Sequence, residues 1–110
     1  MIEHDVPPTM VSAFTTRIIA RAVCEETGVD FDLMISPARH QSLFRARAAT
    51  TWLARERLHR SFPVIGAALG RRDHSSIMHQ FARASELRQR DVEFRALVDR
   101  VDAKLFGTAQ

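Results

Sequence analysis
Four polar residues stand in a row at Asp73-His74-Ser75-Ser76, with His79 and Arg83 behind them at steps of three and four. On a helix turning about 100° per residue, Ser75, Ser76, His79, Arg83 and Arg90 share one side with Glu86. Ile77, Phe81 and Ala84 fall on the opposite side. Hydroxyls and an imidazole at a helix start, with guanidinium groups farther along, offer hydrogen-bonding chemistry suited to base edges and phosphates. Catalytic chemistry is not indicated, because Asp73 and His74 are adjacent, diverge, and have no nucleophile placed beside them. The histidines at 4, 40, 59, 74 and 79 lack metal-ligand spacing, and Cys24 is the one cysteine. Neither a metal site nor an intrachain disulfide is therefore expected, and no enzyme activity or cofactor.

The elements that must position these residues are marked locally. Ser61 reads as an N-cap, Pro63 is tolerated in the first turn, and Val64, Ile65, Ala68 and Leu69 follow before Gly70 stops the helix. Asp73 then caps a second helix that runs to about Gln89. Two helices joined by a short glycine-containing turn, the second opening on polar residues, form the helix-turn-helix pattern, although a helix pair that merely packs has the same outline. Upstream, Ile18, Ile19, Ala22, Val23 and Glu26 repeat at helical spacing between about Thr15 and Thr27, with Gly28 as the stop. Asp30 and Asp32 flank a short helix that ends at Ser36-Pro37. A long helix from about Gln41 to His59 carries the stripe Leu43, Ala46, Ala49, Thr50, Leu53 and Ala54, with Trp52 as a core or boundary plug. Arg45, Arg47, Arg55 and Arg57 are read as lying off that stripe. Asp91 caps a last helix bearing Phe94, Leu97, Val98, Val101 and Leu105. Residues 1–12, with Pro7-Pro8, read as a loose arm, and 13–110 as the domain.

Charge is unevenly placed. Residues 1–37 carry two bases and six acids, residues 38–72 eight arginines and one acid, and residues 73–110 six of each, so −4, +7 and 0 sum to the net +3. The central block is either a solvated face or a polyanion footprint. Fifteen of the sixteen bases are Arg while Tyr and Asn are absent, a codon bias that keeps the Arg excess itself from counting as evidence of phosphate binding. At 110 residues and 45% apolar content the chain supports one globular core. No apolar run approaches the ~20 residues of a membrane span. The acidic start and the lone Cys24 suggest a cytoplasmic protein.

The run Ser61-Phe62-Pro63-Val64-Ile65-Gly66-Ala67-Ala68-Leu69-Gly70-Arg71-Arg72-Asp73-His74-Ser75-Ser76-Ile77-Met78-His79 resembles the signature of the C-terminal DNA-binding domain (domain IV) of the bacterial replication initiator DnaA. The family reads roughly S-L-P-E-I-G-x-x-F-G-G-R-D-H-T-T-V-L-H there, and its G-x-R-D-H-[ST]-[ST] core is specific. The likeness extends from about Thr15 to Leu105. It implies an all-α, compact helical domain with a central helix-turn-helix of the Trp-repressor-like type. It also implies sequence-specific binding of double-stranded DNA at DnaA-box-like sites, in control of replication initiation or nearby transcription. Carried over, Arg39 enters the minor groove. Arg47 meets the backbone or a base edge, and Pro63 packs on a sugar-phosphate edge or a thymine methyl. Asp73, His74 and Ser75 read bases, while Ser76 and the first-turn amides hold phosphate. Arg45, Arg72, His79 and Arg83 complete the expected contact set.

Several positions depart from the pattern. Ala48 stands where the family has Gln, Arg71 replaces the second turn Gly, Val64 replaces an acid, and Ser75 and Ser76 replace Thr. No G-x-x-x-x-G-K-[ST] loop is present, so no nucleotide is expected. Met1 and the unmatched arm suggest a small stand-alone relative, with a detached domain as the other reading. Besides DNA, the full-length initiator is a candidate partner. The alternative function, kept open by the acidic first third, is a protein-interaction adaptor of the initiation machinery with weak residual DNA affinity.

Overall fold
The computed structural model describes residues 8–107, with the backbone alone described for 8–14. Its six helices are α1 (Pro8–Thr27), α2 (Phe31–Met34), α3 (Gln41–Leu58), α4 (Phe62–Ala68), α5 (His74–Arg90) and α6 (Val92–Phe106), with no strand among the described residues. α1 starts at Pro8 and so includes part of the stretch expected to be a loose arm. Proline lacks only an amide that has no intrahelical partner in a first turn, and nothing from Thr9 to Phe14 breaks a helix. The rest of the proposed arm lies outside the described residues.

Local side-chain chemistry sets the helix boundaries. The Ser61 hydroxyl accepts the Val64 amide at 3.3 Å. The Asp73 carboxylate accepts that of Ser76 at 2.8 Å, and the Asp91 carboxylate that of Phe94 at 3.0 Å. Each bond satisfies an amide that the helix itself leaves unpaired. α1 ends at Gly28 (φ 79°) and α3 at His59, which takes the left-handed region itself (φ 55°).

α3 is the central element, packed between α1 and α5, with α6 across one side and α4 bridging α1 and α5. Ile19, Val23, Leu53, Ile65, Leu69, Ile77, Phe94 and Val98 are among the fully buried residues of the shared core. The buried side of α1 is set by Thr16, Ile19, Ala20 and Val23, whereas Ile18 is 44% exposed, against expectation. Cys24 is a buried small side chain against the Met34 sulfur. A Cα radius of gyration of 13.4 Å matches the ~13 Å of a folded chain of about this size.

The α4–α5 turn is closed by backbone. The Arg72 amide donates to the Gly66 carbonyl at 2.9 Å. A Cβ on Gly66 would lie 2.1 Å from the Arg72 carbonyl oxygen, and one on Gly70 2.1 Å from that of Ile35. Gly66→Ala is therefore expected to cost about 1–3 kcal/mol, because backbone must move to admit the methyl. A denaturant titration checks this, and a midpoint equal to the parent's would show that the turn has room to give.

Candidate nucleic-acid interface
α5 sorts its residues as the helical arithmetic requires. His74, Ser75, Ser76, Met78, His79 and Arg83 are exposed, while Ile77 and Ala84 are fully buried. Phe81 is half-buried, its ring 5.9 Å from that of Phe62 on α4. The helix-turn-helix thus presents the first turns of α5 outward and clamps the rest against α3 and α4.

Beside those turns lies an open cleft of about 400 Å³, walled by Arg39, His40, Gln41 and Phe44 on one side and Ser76, His79 and Gln80 on the other. Arg47 and Arg72 form its floor, and no carboxylate lines it. Arg47 is 3% exposed. Its Nε donates to the Met34 carbonyl at 2.7 Å, Nη1 to Ala38 at 2.9 Å, and Nη2 to Ser36 at 2.8 Å and Leu33 at 3.0 Å. Arg72 Nη2 donates to the same Ser36 carbonyl at 2.5 Å. Burial, and then the charge of Arg72, pull the Arg47 guanidinium down to about 10. Burial and then Arg39 lower that of Arg72. Arg47 still carries its charge at neutral pH, so the cleft is cationic.

A family model described as bacterial dnaA protein helix-turn-helix matches residues 16–83. The chain belongs to this family. Among curated relatives, it is similar to the chromosomal replication initiator protein DnaA of Gluconobacter oxydans (strain 621H), 33% identical over 108 residues, 94% of this chain and 22% of that protein. The protein of the same name from Gloeobacter violaceus is 30% identical over 94% of this chain and 24% of its own length. That of Synechococcus sp. (strain JA-2-3B'a(2-13)) is 27% identical over 90% and 21%. The chain thus spans about a fifth to a quarter of the length of these relatives.

Set against the DnaA pattern, the sequence-predicted site residues divide. Arg39, Pro63, Asp73, His74, Ser75, Ser76, His79 and Arg83 are exposed, and Arg72 is half-buried. Arg39, Arg72, Ser76 and His79 meet in the cleft, while Pro63, Arg72, Asp73 and His74 line a second, shallower concavity on the α4 side. Arg83 pairs with Glu86 at 2.8 Å. Two of the expected contact residues are engaged within the fold. Arg47, in the floor of the cleft, places four hydrogen bonds on carbonyls of α2 and the α2–α3 loop. Arg45 is bound to Asp91 at 2.9 Å, and Asp91 marks the end of α5 remote from the Asp73 cap. That bond, followed by the Phe94 amide, holds the Asp91 carboxyl below its usual range. The Ser76 amide is likewise committed to the Asp73 carboxylate rather than free for phosphate, since a helix start leaves that amide in need of an acceptor. Ala48, read as a lost polar contact, is fully buried.

Gln80 was not anticipated. It is 6% exposed, and its Oε1 accepts from the Thr51 hydroxyl at 3.1 Å, tying α5 to α3 under the cleft. Its signal was present: Gln80 stands three residues after Ile77 and four before Ala84, on the buried stripe. Arg47 shows the same signal, four residues after Leu43 and three before Thr50.

Arg47→Met is expected to cost about 2–4 kcal/mol, since it strips a charged multi-donor from backbone carbonyls that fold around it. Arg47→Lys should restore little, because an ammonium cannot match a planar five-donor fork. Thermal unfolding of both variants checks this. A parent-like Tm for the Met variant would mean that the loop holds itself.

Proposed function
We propose that this chain binds double-stranded DNA sequence-specifically, at sites like the DnaA box, and serves in the control of replication initiation. The observation that carries the reading is the exposed polar opening of α5 set against a cationic cleft without a carboxylate. A helix-turn-helix lays its second helix in the major groove with its N-terminal residues on base edges. In this chain His74 and Ser75 read bases, while Ser76, His79, Arg72 and Arg83 hold the flanking phosphates. Arg39, on the loop ahead of α3, reaches the minor groove, where a guanidinium suits a narrow, A·T-rich form. Pro63 packs on a sugar edge or a thymine methyl. Asp73 caps α5 and keeps one carboxylate oxygen for a cytosine amino group. Arg47 and Gln80 act beneath the surface, holding the loop and the helix in register. Membership of a family whose named relatives are replication initiators supports the biological setting. The acids that favoured an adaptor reading are partly used inside the domain, Glu25 on Lys104 and Glu26 on Arg100.

A mobility shift at physiological salt tests the reading. A duplex carrying a DnaA box is expected to bind more tightly than a scrambled one. With about 4–6 phosphates neutralised, the log–log salt slope should lie near −4 to −5. Equal affinity for both duplexes would refute specificity. His74→Ala should cost about 1–3 kcal/mol on the box and flatten discrimination. Arg39→Ala should instead fall hardest on A·T-rich flanks. Magnesium-ATP should leave the melting temperature unchanged, and a rise would reveal a nucleotide site.

A further inference from the structure
Arg71 sits in the α4–α5 turn with φ 63°, in the left-handed region that side chains other than those of glycine, asparagine and aspartate rarely adopt. Such a residue persists only where its surroundings fix it. Here they do so on both sides: Gly70 (φ 86°) is pressed against the Ile35 carbonyl, and the Arg72 amide is bonded to the Gly66 carbonyl. Glycine fills this place in the family pattern and carries no such penalty. The chain therefore tolerates a strained arginine where a relaxed residue is available.

The side chain gains nothing inside the fold to offset this. Arg71 is exposed and makes no hydrogen bond or ion pair among the described residues, unlike Arg45, Arg57, Arg83, Arg88 and Arg100. It borders the shallow concavity with Pro63, Asp73 and His74, whereas Arg39 and His79 line the other cleft. A turn immediately ahead of a groove-entering helix runs beside the sugar-phosphate backbone, and most protein–DNA hydrogen bonds end on phosphate oxygens.

We infer that Arg71 is an additional phosphate-binding residue of this chain, gripping the DNA strand on the α4 side of the recognition helix. Its guanidinium supplies a second anchor across α5 from the Arg39–Arg72 cleft. The inference rests on the DNA-binding reading above and adds to it a contact that a turn glycine cannot make. A phosphate contact carries no sequence information, so its loss should weaken all duplexes alike.

Two variants test this, Arg71→Gly and Arg71→Asn, both of which accept a left-handed backbone and lack the charge. Each is expected to melt no lower than the parent while binding box and scrambled duplexes about 3- to 10-fold more weakly at ~0.1 M salt. The log–log salt slope should become shallower by about 0.9, the value of one phosphate. A duplex with one methylphosphonate linkage beside the α4 contact should lose affinity for the parent and not for either variant. Parent-like slopes in both variants, with the parent itself bound to DNA, would overturn the role of Arg71 alone. A parent that binds no duplex would overturn the DNA-binding reading and this one together.

Discussion

A single buried guanidinium fixes the geometry on which the interface depends. Arg47 donates to the carbonyls of Leu33, Met34, Ser36 and Ala38, all between 2.7 and 3.0 Å. Those carbonyls belong to the end of α2 and the loop that carries Arg39, so one side chain of α3 decides where that loop lies. The same Ser36 carbonyl accepts from Arg72, and the Ile35 carbonyl is the wall against Gly70. The loop and the helix-turn-helix turn are thus held together through two successive residues, Ile35 and Ser36. Arg39 and the opening of α5, separated by more than thirty positions in sequence, share one frame. Neutral carbonyl dipoles satisfy the donors of Arg47 without cancelling its charge, unlike a carboxylate. Its field therefore adds to those of Arg39 and Arg72 in the cleft above.

The rest of the charge is arranged to leave that corner uncompensated. Five of the six ion pairs among the described residues engage α6 or its cap: Arg45–Asp91, Arg57–Asp102, Arg88–Asp99, Arg100–Glu26 and Lys104–Glu25. As exposed or half-exposed pairs each adds little stability. Their placement matters more than their strength. They gather acids at the α6 side and occupy arginines of α3 and α5 there. Arg39, Arg47 and Arg72 are left without a carboxylate partner at the other end. The eight arginines of residues 38–72 accordingly do not act as one patch. Arg45 and Arg57 brace α6, Arg55 lies over the Phe62 ring and bonds the Arg60 carbonyl, and Arg47 holds the loop.

This division explains which features were legible in the sequence. Ser61, Asp73 and Asp91 cap the helices the sequence assigned to them, and Gly28 and Gly70 stop the expected ones, because caps and left-handed stops act within a few residues. The outward opening of α5 followed equally from local periodicity. The structural roles of Arg47 and Gln80 are hard to read from sequence because residue type points to the surface while position points to the core. Both stand on the apolar stripe of their helix, and what makes burial tolerable there is a partner far away in sequence: a carbonyl loop for one, the Thr51 hydroxyl for the other. The early start of α1 is obscured for the converse reason: Pro7-Pro8 has the residue type of a breaker, yet a helix can begin on proline.

The same frame accounts for where this chain departs from its family. Ser75, Ser76 and Arg71 are exposed, each replacing a family residue at the surface that faces DNA in the proposed complex. None of these side chains is used to hold the fold: α5 is capped by Asp73, anchored by Ile77 and Gln80, and preceded by a turn that Gly66 and Gly70 lock through backbone contact. Recognition residues mounted on a scaffold fixed from beneath can change without moving the helix that carries them. Serine for threonine removes a methyl available to thymine while keeping the hydroxyl, and arginine for glycine adds a charge at the turn. In the proposed complex the first change would lower sequence discrimination, and the second would raise affinity irrespective of sequence. Together they would shift the balance from base reading toward backbone holding, with the docking geometry unaltered.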